Sequence, residues 1–372
     1  MAFFVAKGGP DACGPGCQEW IAAEGTIDSD AEPRLWELLR KLGERKLPVY
    51  FNSPGGLMAA GLELGRLMRN RGLTAGVGWT VPAGCDRQDP RDKSCDTLKR
   101  SGRELVSELD TGHALCASAC VFTILGGVTR DVGAGAKLGI HGAAIGSTIM
   151  SADENGHIGP MPVHFSEGVQ RKALDLLYEG VAGYLRKMGI SPDLLTAARA
   201  ISPKQVRFLR RDEIIAFGID RREVVDGAWS FVDQFPGASA VKLIEAKDDE
   251  AGAFRTTVLR LSCQDTTSVR LQFERGSGTD GLPDGLLVTA AGRSFRLARR
   301  MSATPSDDRR PLEKLSAALP LAVLDDPAFV IAASEPSDQT PDSATGQPVH
   351  LTAQASAPVL GALARRCRSG LI

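Results

Sequence analysis

The sequence predicts an α/β domain over residues 1–225, followed by a smaller β-rich domain over 226–372. Three observations carry that expectation. Short apolar runs alternate with helical patterns from residue 20 to residue 220, the signature of strand–helix–strand crossover units. After residue 225 the texture changes to closely spaced strand-like runs. With 372 residues, 43% of them apolar and 24% charged, the chain is long enough for two or three domains, each with its own core.

In chain order, Ile21 to Ile27 reads as a first strand, and Glu32 to Leu47 as a helix with Leu35, Leu38, Leu39 and Leu42 on one face. Pro48 to Asn52 is a buried strand, and Ser53-Pro54-Gly55-Gly56 is a turn. That turn opens a helix from Leu57 to Arg71, in which Leu57, Ala60, Leu64, Leu67 and Met68 recur at helical spacing. Thr74 to Trp79 continues the strand pattern. Residues 80–108 break the rhythm with two prolines, many charges and two cysteines, as an insertion on a scaffold does. Ala114 to Ala117 is a strand, Ser118 to Leu125 a short helix, and Lys137 to His141 another strand. The Gly- and Pro-rich stretch 142–164 reads as a hairpin or arm. Phe165 to Met188 is a helix whose Val169, Ala173, Leu177, Val181, Leu185 and Met188 form one stripe for core packing. Strands are then expected at Ala240–Ala246, Phe254–Cys263, Ser268–Glu274, Gly285–Ala290 and Ser294–Ala298. The Ser-, Pro-, Asp- and Thr-rich stretch 335–348 reads as an exposed loop before a closing segment.

A formal net charge of −1 supplies no global field for nucleic acid or an anionic membrane surface, so no nucleic-acid partner is expected. No run of about 18 apolar residues suggests a transmembrane segment. Eight cysteines, at 13, 17, 85, 95, 116, 120, 263 and 367, are an even number that fits an oxidising compartment better than a reduced cytosolic chain. Eight cysteines allow about 105 pairings; spacing favours Cys85 with Cys95, and Cys263 and Cys367 are the only two in the C-terminal part. Zinc is disfavoured, because the Cys-x-x-x-Cys spacings at 13 and 116 lack a supporting histidine pair. The first residues carry no charged segment followed by an apolar one, so a periplasmic or secreted protein would be numbered here from beyond its leader.

Three segments carry chemistry. Tyr50 to Gly56 runs a strand into a glycine turn that opens a helix, where backbone N–H groups can face outward toward a developing oxyanion. Leu115 to Phe122 places Ser118 between small residues at a strand-to-helix junction, as a nucleophile requires; the plainer reading is a helix N-cap. Leu138 to Gly142 sets His141 at the end of a buried strand, where an imidazole can take the serine proton and return it to a leaving group. His113, His157, His164 and His350 fall in loops or at strand starts, without metal-ligand spacing.

In this order the segments resemble the Clp serine peptidase family of the ClpP/crotonase superfamily: an Asn-Ser-Pro-Gly-Gly turn at 52–56, a serine amid small residues at 116–120, and a histidine closing a later strand at 139–141. Closer still, Cys-Ala-Ser-Ala-Cys at 116–120 and Cys-Gly-Pro-Gly-Cys at 13–17 resemble the Clp-like secreted and periplasmic proteins of bacteria. The resemblance covers residues 13 to about 225. It implies a ClpP/crotonase-like spiral of β-β-α units around a curved parallel sheet, an oxyanion hole from Gly55 or Gly56 with Ala119, an arm after His141, and a homo-oligomer. It also implies a peptide or protein substrate, and nothing in the sequence requires a metal or an organic cofactor. Val206 stands where the family carries its triad aspartate, and a valine cannot orient an imidazolium. Ser202, Gln205, Asp193 and Asp212 are the nearby alternatives. Three readings follow: a serine hydrolase acting through an acyl-enzyme on Ser118, a Clp-like scaffold or binding protein without turnover, and a crotonase-type enzyme acting on acyl-thioesters.

Overall fold

The computed structural model describes all residues except 86–91, 146–147, 153–157, 163–164, 235–236, 248–253, 277–286, 291–292, 300–311, 326–331, 335–356 and 371–372. Its first half contains β1 (Ala2–Lys7), β2 (Glu19–Glu24), α1 (Ala31–Leu42), β3 (Val49–Asn52), α2 (Met58–Arg71), β4 (Thr74–Val77), β5 (Trp79–Pro82), α3 (Lys93–Lys99) and β6 (Leu105–Asp110). Next come β7 (Leu115–Ala117), α4 (Ala119–Ile124), β8 (Thr129–Val132), β9 (Lys137–Ile140), β10 (Thr148–Ala152), β11 (Ile158–Pro162), α5 (Glu167–Met188), α6 (Asp193–Arg199), β12 (Arg207–Phe208) and α7 (Arg211–Ala216).

The main sheet has the order β5-β6-β1-β2-β3-β4-β8. It is mixed rather than parallel. From β2 through β3 and β4 to β8 the strands run parallel, as crossover connections through α1 and α2 require, but β1 pairs antiparallel with β2 and β5 antiparallel with β6. β1 precedes the strand expected to be first, and β6 comes from the stretch expected to be an insertion; both extend the sheet. A second, three-stranded sheet orders β12-β9-β7, and β10 pairs with β11 as the hairpin expected after His141. The core gathers Ile21, Leu35, Phe51, Leu64 and Met68 with Val121, Leu138 and Leu185. The stripe of α5 differs from expectation. Val181, Leu185 and Met188 are buried and Leu177 packs against the core, whereas Val169 is 53% exposed, so the stripe meets the core from Leu177 onward.

The second half contains β13 (Val224–Asp226), β14 (Ser230–Gln234), β15 (Gly237–Lys247), β16 (Phe254–Cys263), β17 (Ser268–Gly276), β18 (Leu287–Ala290), β19 (Arg293–Arg296), β20 (Ala298–Arg299), β21 (Leu312–Pro320), β22 (Ala332–Ser334) and α8 (Ala357–Arg368). An antiparallel sheet orders β13-β15-β16-β17-β21-β20. Thr257, Leu259 and Leu261 of β16 alternate inward with period two, and with Leu271, Phe273 and Leu315 they form a core against Leu360 and Leu363 of α8. The loop expected at 335–348 lies outside the described residues.

All eight cysteines pair: Cys13 with Cys17, Cys85 with Cys95, Cys116 with Cys120, and Cys263 with Cys367. The last ties β16 to α8. Among the described residues no helix is long and apolar enough to cross a membrane.

Candidate active site

Ser118 lies between the end of β7 and the start of α4, half-buried, with φ 56° and ψ −124°. An N-cap serine takes extended angles and accepts a hydrogen bond from the first turn. Ser118 does neither, and its hydroxyl makes no cap bond. A non-glycine residue in this region of φ/ψ costs about 1–3 kcal/mol and persists where the surroundings impose it. Two constraints are visible: the Cys116–Cys120 disulfide brackets the junction, and Ser118 N donates to Gly139 O at 2.8 Å.

The glycine turn packs directly on this junction. A Cβ on Gly55 would come 2.7 Å from Ser118 Cβ and 2.6 Å from Ala117 O, so only glycine permits the approach. Gly55 N–H donates to Ser53 Oγ at 3.1 Å. Among the described residues the amides of Gly56 and Ala119 are in no hydrogen bond, and Ala119 opens α4, where first-turn N–H groups lack helical partners.

The turn is stitched to β7. Ser53 N donates to Leu115 O (2.7 Å), Ala117 N donates to Ser53 O (3.0 Å), and Leu115 N donates to Asn52 Oδ1 (3.0 Å). Asn52 Nδ2 in turn donates to Glu24 Oε2 at 3.2 Å. Glu24 is buried beside a cavity of about 490 Å³, where it accepts from Thr80 N at 2.9 Å and faces the Lys99 ammonium at 3.6 Å. Desolvation pushes its carboxyl up to about 7, against the lowering pull of Lys99, Thr80 and Asn52.

β7 pairs parallel with β9, Ala117 opposite Gly139, so the histidine two residues beyond Gly139 is brought to the same end as Ser118. His141 is half-buried. Its Nδ1 lies 2.8 Å from Gly142 O. A carbonyl oxygen only accepts, so Nδ1 carries a proton, and in the neutral imidazole the lone pair lies on Nε2. Ser118 Oγ and His141 Nε2 share no hydrogen bond in this state, as happens in sites that tighten when substrate binds.

β12 pairs antiparallel with β9, Arg207 opposite Ile140 and Phe208 opposite Gly139, so one further step of the same register sets Val206 across from His141. The four alternatives lie apart from the imidazole in hydrogen bonding. Asp193 accepts from Ser191 Oγ (3.0 Å), Asp212 is paired with Arg210 (2.8 Å), Ser202 Oγ accepts from Lys204 N (3.3 Å), and the exposed Gln205 donates its N–H to Ser202 O (2.9 Å). His113 sits on Asp110 at 3.0 Å, and His157, His164 and His350 lie outside the described residues. Sequence reasoning missed Glu24, Lys99 and the Gly142 carbonyl, whose roles depend on contacts between distant stretches.

No protein-family model matches the chain, and no curated protein matches it. Solved structures do. ClpP1 from Listeria monocytogenes is 16% identical at a TM-score of 0.32, covering 54% of this chain and 87% of its own. A ClpP1 variant from the same organism is 14% identical, with the same TM-score and coverage. A variant of the membrane-bound stomatin-specific protease 1510-N is 14% identical at a TM-score of 0.30, covering 54% of this chain and 75% of its own.

Proposed function

We propose that the chain is a serine hydrolase, acting as a peptidase through an acyl-enzyme on Ser118. The observation that carries this is Ser118 itself: a half-buried hydroxyl, held at φ 56° and free of capping, at the junction against which the Gly55–Gly56 turn packs. His141 Nε2 takes the hydroxyl proton as Oγ attacks the substrate carbonyl carbon, and the resulting oxyanion is met by the Gly56 and Ala119 amides. Gly55, whose N–H is held by Ser53, shapes the turn. Collapse of the tetrahedral intermediate breaks the scissile bond, His141 protonates the leaving amine, and a water deprotonated by the same nitrogen hydrolyses the ester.

Further parts of the reading follow from other observations. Separate cores before and after residue 225 support a hydrolase domain at 1–225 and an accessory β domain at 226–372. Four disulfides support a periplasmic or secreted setting. The exposed Val169 and Leu176 on the outer half of α5 support a homo-oligomer.

The test is a fluorophosphonate, which phosphonylates an activated serine. Wild-type protein is expected to be labelled at Ser118, and Ser118→Ala to lose the label completely; equal labelling of both would sink the proposal. A second reading, a scaffold that keeps the shape without turnover, draws on Val206 across from His141. It predicts an unlabelled wild type.

A further inference from the structure

Among the described residues no carboxylate is hydrogen-bonded to His141, which follows β9, and its Nδ1 meets a backbone carbonyl instead. Its acceptor is Gly142 O, at 2.8 Å. The N–H of that same peptide unit belongs to Ala143, and it donates to Tyr178 Oη at 3.0 Å. The amide is therefore gripped at both ends, by the imidazole on its carbonyl and by a phenol of α5 on its nitrogen. Gly142 N donates to Ile201 O at 2.8 Å, which fixes the peptide on its other side. A Cβ on Gly142 would come 2.9 Å from Ile201 O and 3.6 Å from Tyr178 Oη, so this approach leaves little room for a side chain. The Arg199 guanidinium lies 4.5 Å from the Tyr178 ring centroid and holds the ring from α6.

The geometry points to Tyr178 as a positioning residue that, through the Gly142–Ala143 peptide, takes over the orienting task of the absent triad acid. An amide whose N–H is already engaged has a more polarised carbonyl, by about 10–30% in cooperative hydrogen-bond chains, and is the better acceptor for Nδ1–H. The strap fixes tautomer and ring orientation. It carries no negative charge, so it does not stabilise the imidazolium as a carboxylate does.

This inference rests on the serine-hydrolase reading, and the experiment separates the two. Tyr178→Phe keeps the ring under Arg199 and removes the acceptor. Its rate of phosphonylation by a fluorophosphonate, in which Ser118 Oγ displaces fluoride from phosphorus, is expected to fall by up to about 100-fold, the loss that a displacement of about 1 Å can bring. Adding Val206→Asp, across from His141, is expected to recover most of that rate, which a merely structural role for Tyr178 would not allow. An unchanged rate in Tyr178→Phe, or a loss that Val206→Asp leaves untouched, overturns the assignment. A readout that needs no turnover is the nitrogen-15 NMR spectrum of the five histidines. Wild type and Ser118→Ala should hold His141 as the Nδ1–H tautomer, and Tyr178→Phe should show a mixture. A pure Nδ1–H tautomer in Tyr178→Phe overturns the inference even if Ser118 proves inert.

Discussion

Glu24 is a buried ionisable residue bonded to the Asn52 side chain that holds the glycine turn. Its unfolded carboxyl titrates near 4.5 and its folded one near 7, because burial outweighs the attraction of Lys99. The folded state thus keeps a proton that the unfolded state has already released. The stability this group contributes is complete below about 4.5 and is lost as pH rises to about 7, roughly 3 kcal/mol in all. Glu24→Gln carries no such charge. In urea unfolding, wild type should lose about 2–3 kcal/mol relative to the variant between pH 5 and pH 8; parallel curves would show that Glu24 ionises freely. Ser118 and His141 could be singled out as candidates in the sequence, since a hydroxyl amid small residues and an imidazole before glycine mark themselves locally; their chemistry is the proposal made above. Glu24 with Lys99, 75 positions apart, gave no such mark.

At the scale of elements, Arg130 of β8 gathers the C-terminal ends of three helices. It donates to Leu125 O at the end of α4 (3.1 Å), to Met188 O at the end of α5 (2.7 Å) and to Gly218 O beyond α7 (3.1 Å). The first two are carbonyls at helix C-terminal ends, which a helix leaves without partners, and a cation there also complements the negative end of each dipole. Burial, and then the neighbouring Arg69 guanidinium, brings its pKa down to about 10, so it remains charged at neutral pH. Arg130→Met keeps the stem and removes all three bonds; a loss of about 2–4 kcal/mol is expected in urea unfolding. Helix and strand periods located most elements to within a few residues, as with Phe254–Cys263, which matches β16 end for end. They did not give β1 or the antiparallel pairings, because an apolar run does not state which neighbour it will join. Nor did the α5 stripe state that Val169 and Leu176, in the first half of the helix, would be exposed.

At the scale of the whole molecule, the four cross-links differ in reach. The Cys263–Cys367 bridge closes a loop of 104 residues, and removing it should cost about 4–5 kcal/mol on the chain-entropy account. The Cys116–Cys120 bridge spans only four positions, for which the same account gives about 2 kcal/mol. Paired alanine variants compared by denaturant midpoint would separate them. Near-equal losses would mean that unfolded-chain entropy does not set the ranking. The expectation of an oxidised protein came from an even cysteine count, and the long-range pair joins the only two cysteines of the C-terminal part.

The helices that follow the glycine turn and Ser118, α2 and α4, approach closely where α2 carries glycines. A Cβ on Gly61 would come 2.7 Å from Thr123 Oγ1 and 3.1 Å from Ala119 O, and one on Gly126 would meet Gly65 O at 2.0 Å. The two rods thus behave like the arms of a caliper, whose jaws are the Gly56 amide and the serine hydroxyl. One methyl group at Gly61 should prise the arms apart by a few tenths of an ångström, leaving a folded protein whose acylation is slow and whose binding of unreactive peptides is intact.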